Sequence, residues 1–157
     1  MTATEDGSAF AEAMMGMIGE FNEKIGLQLV EVTKERVVGT LPVEGNRQTY
    51  GLIHGGANAS LAEVLGSIAA AVNAGPTRTA MGLELSCTHH RAARGGRVTG
   101  VCTPLHVGRN VSTWETVITD DQGRRTCTAR LTCVIKDNPP GAGSSLALVR
   151  PRPDTTP

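Results

Sequence analysis

Between Ala57 and Ala74 the chain is rich in alanine and leucine, carries no proline, and stops at Gly75-Pro76, a pair through which a helix does not continue. Glu63 is the only ionisable residue of that stretch. A helix so poor in charge has to be covered by other elements. Burying its one carboxylate costs several kcal/mol unless the group is paired, neutral or set in a wet cleft.

The sequence on both sides of the helix reads as β. Leu27, Leu29 and Val30 to Val32 begin a strand, Lys34-Glu35 turns it, Val37 to Val43 returns, and a polar loop from Glu44 to Tyr50 follows. Behind the helix, Thr79 to His90, Val98 to Val107, Val111 to Thr119 and Thr126 to Ile135 read as strands, with turns at Arg94-Gly95-Gly96 and Asp120-Asp121-Gln122-Gly123. In the last strand Cys127, Ala129, Leu131, Cys133 and Ile135 alternate with polar residues, the period of a strand with one face in a core. A hairpin, one long buried helix and a four-stranded antiparallel meander make an α+β layout, an antiparallel sheet wrapped around a single central helix.

At 157 residues the chain is long enough for one such core. Residues 1–9 are expected to be a disordered N-terminus, 10–136 the folded domain, with a short helix over Phe10–Phe21, and 137–157 a flexible tail rich in Pro, Gly and Ser. The 15 basic and 15 acidic residues cancel, so no overall field draws the chain to nucleic acid or to an anionic membrane. Its aromatic residues are Phe10, Phe21, Tyr50 and Trp114, too few to stack single-stranded bases. No apolar run approaches the ~20 residues that span a bilayer. The acidic start Met-Thr-Ala-Thr-Glu-Asp differs from the basic start of a signal peptide, so a cytoplasmic location without a membrane partner is expected.

Cys87, Cys102, Cys127 and Cys133 are dispersed, as reduced core thiols are. His89 and His90 with Cys87 and Cys102 match no ordinary ligand spacing, and strand neighbours point to opposite faces, so no metal is expected. Walker and dinucleotide fingerprints are missing, and Ser67 lies in Gly-Ser-Ile-Ala-Ala instead of Gly-x-Ser-x-Gly.

The chemistry concentrates in Gln48 to Ser67, which sets a histidine and two glycines at the mouth of the helix and Glu63 two turns inside it, with Ser67 one turn further on the same face. Backbone N–H groups at a helix start carry about half a positive charge and lack intrahelical partners, so they suit an oxygen that gains negative charge during reaction. This arrangement resembles the hotdog-fold acyl-CoA thioesterases of the 4-hydroxybenzoyl-CoA thioesterase type with a catalytic glutamate. The likeness runs from about Gly26 to Lys136. It is closest to the menaquinone-pathway 1,4-dihydroxy-2-naphthoyl-CoA thioesterase and its relative that proofreads 2,3-dihydroxybenzoyl carrier protein.

The resemblance implies that Glu63 acts as base or nucleophile, Gly55 donates its N–H to the thioester carbonyl, and His54 holds the loop that aligns this donor. It implies further that Gln48 orients the substrate or the attacking group through its amide and that Ser67 holds the hydrolytic water near Glu63. Gly82, the segment His89, His90, Arg91 and Ala92, and the segment His106, Val107, Gly108, Arg109, Asn110 and Val111 match the family's coenzyme A contacts. Independently of any family, the stretch from Leu85 to Trp114 carries Arg91, Arg94, Arg97 and Arg109 without an acid, a cationic segment suited to a phosphorylated ligand. Thr49 and Tyr50 replace the proline and phenylalanine expected beside the glutamine, and Ile68 stands where relatives vary in ways that influence coenzyme A against carrier-protein thioesters.

The implied activity is hydrolysis of an acyl-CoA thioester, with an aromatic acyl group such as 1,4-dihydroxy-2-naphthoyl or hydroxybenzoyl, by a homodimer or dimer of dimers with shared active sites. No cofactor is expected, because coenzyme A is part of the substrate. The alternatives are a proofreading thioesterase for aryl or acyl carrier-protein thioesters and a non-catalytic acyl-CoA-binding hotdog protein. A hotdog hydratase would require an Asp-and-His constellation that is missing.

Overall fold

The computed structural model describes residues 13 and 19–141. Apart from Ala13, the part of the expected Phe10–Phe21 helix before Gly19 lies outside the described residues, as do residues 1–9 and the tail beyond Gly141. The elements are α1 (Gly19–Lys24), β1 (Gln28–Val32), β2 (Val37–Pro42), α2 (Gly55–Ala74), β3 (Arg78–His89), β4 (Arg97–Val107), β5 (Val111–Asp120) and β6 (Arg125–Asp137). Helix α1 runs past Phe21 and closes on Gly26, whose positive φ of 71° lets Gly26 and Leu27 donate back to Glu23 and Asn22. Phe21 itself is 59% exposed.

The strands form one six-stranded sheet in the order β1-β2-β4-β5-β6-β3, antiparallel at every pairing. Helix α2 packs across it, which is the hotdog arrangement. Leu61, Leu65 and Ile68 meet Val37, Leu41, Val98, Ile118 and Leu131, and each such side chain removed from water contributes roughly 1.5–3 kcal/mol. The helix sinks into the sheet over Gly39 and Gly100, where a Cβ at either position would come within 2.8 Å of a Leu65 methyl. Trp114 is fully buried, its indole N–H donating to Ser112 Oγ at 2.9 Å.

The strand boundaries follow the sequence reading closely, but the connectivity does not. Strands β4, β5 and β6 form a meander, whereas β3 pairs with β6 and lies at the sheet edge, three strands from β4. The stretch around Arg94-Gly95-Gly96 is therefore a crossover instead of a hairpin turn. Local turn residues report that the backbone bends, not which strand it joins. The crossover is held by His90 and Arg91 N–H on the Thr126 carbonyl, Ile53 N–H on Ala93 and Val43 N–H on Gly96. At the other end, Asp137 still belongs to β6 and pairs with Arg78 at 2.9 Å, and Asn138 N–H bonds the Thr77 carbonyl.

Candidate active site

The site is built on the start of α2. The loop before it is pinned by Asn46, whose side-chain amide donates to the carbonyls of Ile25 at 2.7 Å and Pro42 at 3.0 Å, and whose own carbonyl accepts the His54 N–H. His54 is the N-cap, with extended backbone (φ −69°, ψ 134°), and its Nδ1 accepts the Gly56 N–H at 2.8 Å. That bond leaves the ring proton on Nε2. The His54 carbonyl takes the N–H groups of Ala57 and Asn58. Of the donors of the first turn, the Gly55 N–H alone finds no acceptor among the described residues, so it is free for a ligand oxygen.

Both glycines of the motif lie in close packing against histidine side chains. A Cβ at Gly56 would lie 3.0 Å from His54 Nδ1, and one at Gly55 would lie 2.9 Å from His89 Nε2. The second contact joins the end of β3 to the start of α2. It puts Gln48, Gly55 and the segment His89–Ala92 around one cleft of about 360 Å³, floored by Leu52, Ile53 and Asn58. Gln48 accepts the Tyr50 N–H on Oε1, so its NH₂ group is left to donate, as an amide that orients a carbonyl must. Tyr50 is 85% exposed.

Glu63 stands elsewhere. Two turns along α2 it is half-buried, with Ser67 Oγ donating to Oε1 at 3.5 Å. Its carboxylate occupies the space that a side chain at Gly82 would fill, since a Cβ there would lie 2.5 Å from Oε1. Within the chain Gly82 is thus the clearance for the carboxylate. We expect Gly82→Ala to keep its fold but to lose at least tenfold in kcat by pushing the carboxylate aside, because misplacing a reacting group by about 1 Å can cost a hundredfold. Steady-state kinetics with a matched thermal melt check this.

Burial pushes the Cys133 thiol up to about 11, with the Glu63 charge adding to the push. Cys87 is raised by burial first and then by Glu63, against a hydrogen bond to Cys127. Burial likewise takes Cys102 to about 11 and Cys127 to about 12. All four thiols are free and protonated at neutral pH, so none is a ready nucleophile.

His106 to Val111 forms the β4–β5 turn at the far end of the sheet, where the Arg109 carbonyl accepts from the Arg78 guanidinium and the Asn110 carbonyl from Ile135. Helix α2 has 20 residues, about 30 Å of rise, and its C-terminal end leads into the Gly75–Thr77 turn beside Arg78. Within one chain, therefore, the predicted residues fall into three places: Gln48, His54, Gly55 and His89–Ala92 at the helix start; Glu63 and Ser67 along the helix with Gly82 of β3 against Glu63; and His106–Val111 beyond its end.

The cationic segment is also divided. Arg97 is committed to Thr40 Oγ1 at 2.7 Å and to the Gly26 carbonyl. Arg91 and Arg94 face a second cleft of about 560 Å³, next to the first, together with Arg124. Asp120 and Asp121 line it too, so a segment free of acid in sequence meets acids in space. Arg124 is held by Asp120 at 2.7 Å, and that hydrogen bond keeps the Asp120 carboxyl below the usual carboxylate range. Arg91 and Arg94 have no ion-pair partner among the described residues. Arg124 and Asn58 escaped the sequence reading; Arg124 sits in a turn that gives no hint of facing Arg91, and Asn58 reads as an ordinary polar residue of the helix. Ile68 is buried, 5% exposed. Among the described residues no cluster of three His, Cys, Asp or Glu could hold a metal ion, and no helix is long and apolar enough to cross a membrane.

A hotdog fold with a lone glutamate on its central helix and an uncommitted N–H at the helix start is an arrangement suited to thioester cleavage. The pattern of the Thioesterase superfamily matches residues 50–127. Two relatives named proofreading thioesterase EntH, from Cronobacter turicensis and Cronobacter sakazakii, are 43% and 44% identical over 119 residues, 75% of this chain and 87% of theirs. A thioesterase structure from Haemophilus influenzae superposes with a TM-score of 0.73 at 29% identity, covering 76% of this chain and 85% of that one. The chain belongs to the thioesterase superfamily, and it is a thioester hydrolase.

Proposed function

We propose that the protein is a proofreading-type thioesterase, releasing aryl or acyl groups from the phosphopantetheine arm of a carrier protein. The observation that carries this reading is the 43% identity to proofreading thioesterase EntH across 87% of that protein, in preference to the aromatic acyl-CoA substrate that the sequence alone suggested. Hydrolysis of one hydroxybenzoyl group presented on a holo-carrier protein and on coenzyme A tests it: kcat/KM should be higher for the carrier-protein thioester. A clear preference for coenzyme A would return the assignment to an aryl-CoA thioesterase acting on 1,4-dihydroxy-2-naphthoyl-CoA or a hydroxybenzoyl-CoA.

That second reading is favoured by the unpaired Arg91 and Arg94, which suit nucleotide phosphates. Arg91→Ala should raise KM for a coenzyme A thioester with little change in kcat, and leave short thioesters without the nucleotide nearly unaffected, since its charge would contribute binding remote from the carbonyl. Equal losses on both substrates would make Arg91 structural.

In either case Gly55 supplies an N–H to the thioester oxygen, Gln48 orients the carbonyl, and Glu63 attacks the carbon or activates water beside Ser67. No cofactor enters this chemistry. The proposed assembly is a dimer with each site shared between two chains. Its support is the separation of Gly55 from Glu63 along one helix and the unpaired outer edge of β3, where Leu83 is 67% and Met81 42% exposed. An open edge strand that exposes large apolar side chains is a ready template for pairing with another chain.

A further inference from the structure

The least expected group in the cleft is Asn58. It is 2% exposed, and its Oδ1 is buried without a hydrogen-bond partner. Native proteins leave few such atoms, and one that lines a cleft is placed to meet a water or a ligand there. Asn58 lies three residues after Gly55, ~4.5 Å further along the axis and on the same side of the helix, and its side chain leans back toward the helix start. Both residues line the cleft that ends at His89, His90 and Arg91.

From a carbonyl held at the Gly55 N–H, a thioester extends two arms. The side of the cleft at His89–Ala92 adjoins the cleft faced by Arg91 and Arg94, which gives the thiol arm a cationic route outward. The first polar group on a pantetheine thiol is the cysteamine amide, two methylenes from the sulfur. An amide both donates and accepts, so it complements a carboxamide in either orientation of the Asn58 side chain.

We propose that Asn58 hydrogen-bonds the cysteamine amide of the substrate's pantetheine arm and so selects pantetheine thioesters over simple alkyl thioesters. The assignment builds on the thioester reading above and holds equally for a carrier-protein and a coenzyme A substrate, since both present this amide.

The test uses two thioesters of one hydroxybenzoyl group, the N-acetylcysteamine ester and the pentyl ester, in which methylenes replace the amide. The full-length wild-type protein should favour the N-acetylcysteamine ester by about tenfold in kcat/KM, the scale of one neutral hydrogen bond. Asn58→Ala should bring the ratio close to one by slowing the N-acetylcysteamine ester while leaving the pentyl ester as it was. Asn58→Ser, which retains a hydroxyl, should keep part of the preference. Asn58→Ala should also melt no lower than wild type, because the substitution removes a buried oxygen that the free protein leaves unpaired. An unchanged ratio in Asn58→Ala, with both esters slowed alike, would overturn the proposal and make Asn58 a partner of a bound water or of a second subunit. Turnover of neither ester by the wild-type protein would instead overturn the substrate reading on which it builds.

Discussion

Glu63→Gln should fold like the parent, bind a thioester with similar affinity, and turn it over two to four powers of ten more slowly, roughly the range for losing a general base. The size of the effect follows from the isolation of the group. Helix α2 has no other ionisable side chain, and Ser67 is a neutral hydroxyl that donates to Glu63. The thiols that sense the Glu63 charge, Cys87 and Cys133, are raised by burial and remain protonated at neutral pH. Nothing along the helix can take over, and glutamine preserves the shape that fits against Gly82. Single-turnover assays with a melt of the same sample are the check, and a folded Glu63→Gln protein with near wild-type turnover would remove Glu63 from the mechanism. If the carboxylate attacks directly, the bond to sulfur breaks with formation of a mixed anhydride that water then cleaves; if it acts as a base, water attacks in one step. Label from water appearing in Glu63 during a single turnover would establish the anhydride, cleaved at the Glu63 carbonyl; where the label goes only to the product, trapping of the anhydride decides between the two.

Mixing two dead variants should restore activity to roughly a quarter of wild type if dimers with shared sites form. Gly55 and Glu63 are eight residues apart on one helix, about 12 Å along the axis, so a single chain cannot easily set both on one carbonyl. A twofold axis that lays two copies of α2 antiparallel would bring Gly55 of one chain toward Glu63 of the other. Paired along the free edge of β3, it would also carry the β4–β5 turn of one copy toward the crossover of the other, reuniting the two segments matched to coenzyme A contacts. Glu63→Ala removes the carboxylate. Gly55→Pro removes the N–H at a helix position that tolerates proline, and the extended backbone of His54 is the conformation a residue before proline needs. The new ring would crowd His89 Nε2, which can swing aside at the end of its side chain. Random re-association makes about half of the dimers mixed, each with one intact and one doubly damaged site. If native mass spectrometry shows mixed dimers and no activity returns, the two groups act within one chain or Gly55 is not the donor.

The secondary-structure elements of this protein and the residue types of its candidate site were legible in the chain order. Apolar alternation over Cys127–Ile135 located a strand whose inward residues are all buried, and the lone carboxylate of Ala57–Ala74 marked Glu63, because both signals depend on residues close together in the chain. The helix begins two residues earlier than its composition suggests, at Gly55, since a histidine N-cap and two glycines chosen for close packing carry no helix propensity of their own. The remaining relations arise only on packing. Which strand lies beside β3 depends on a crossover that turn residues cannot specify. Gly82 makes room for Glu63, a relation between a strand and a helix that only packing creates. The arginines of one segment part company because Arg97 is consumed by Thr40 while Arg91 and Arg94 meet Arg124 and two acids from a different hairpin. Asn58 became distinctive only when its surroundings left a buried oxygen without a partner, a property of the folded neighbourhood that its position in the sequence does not contain.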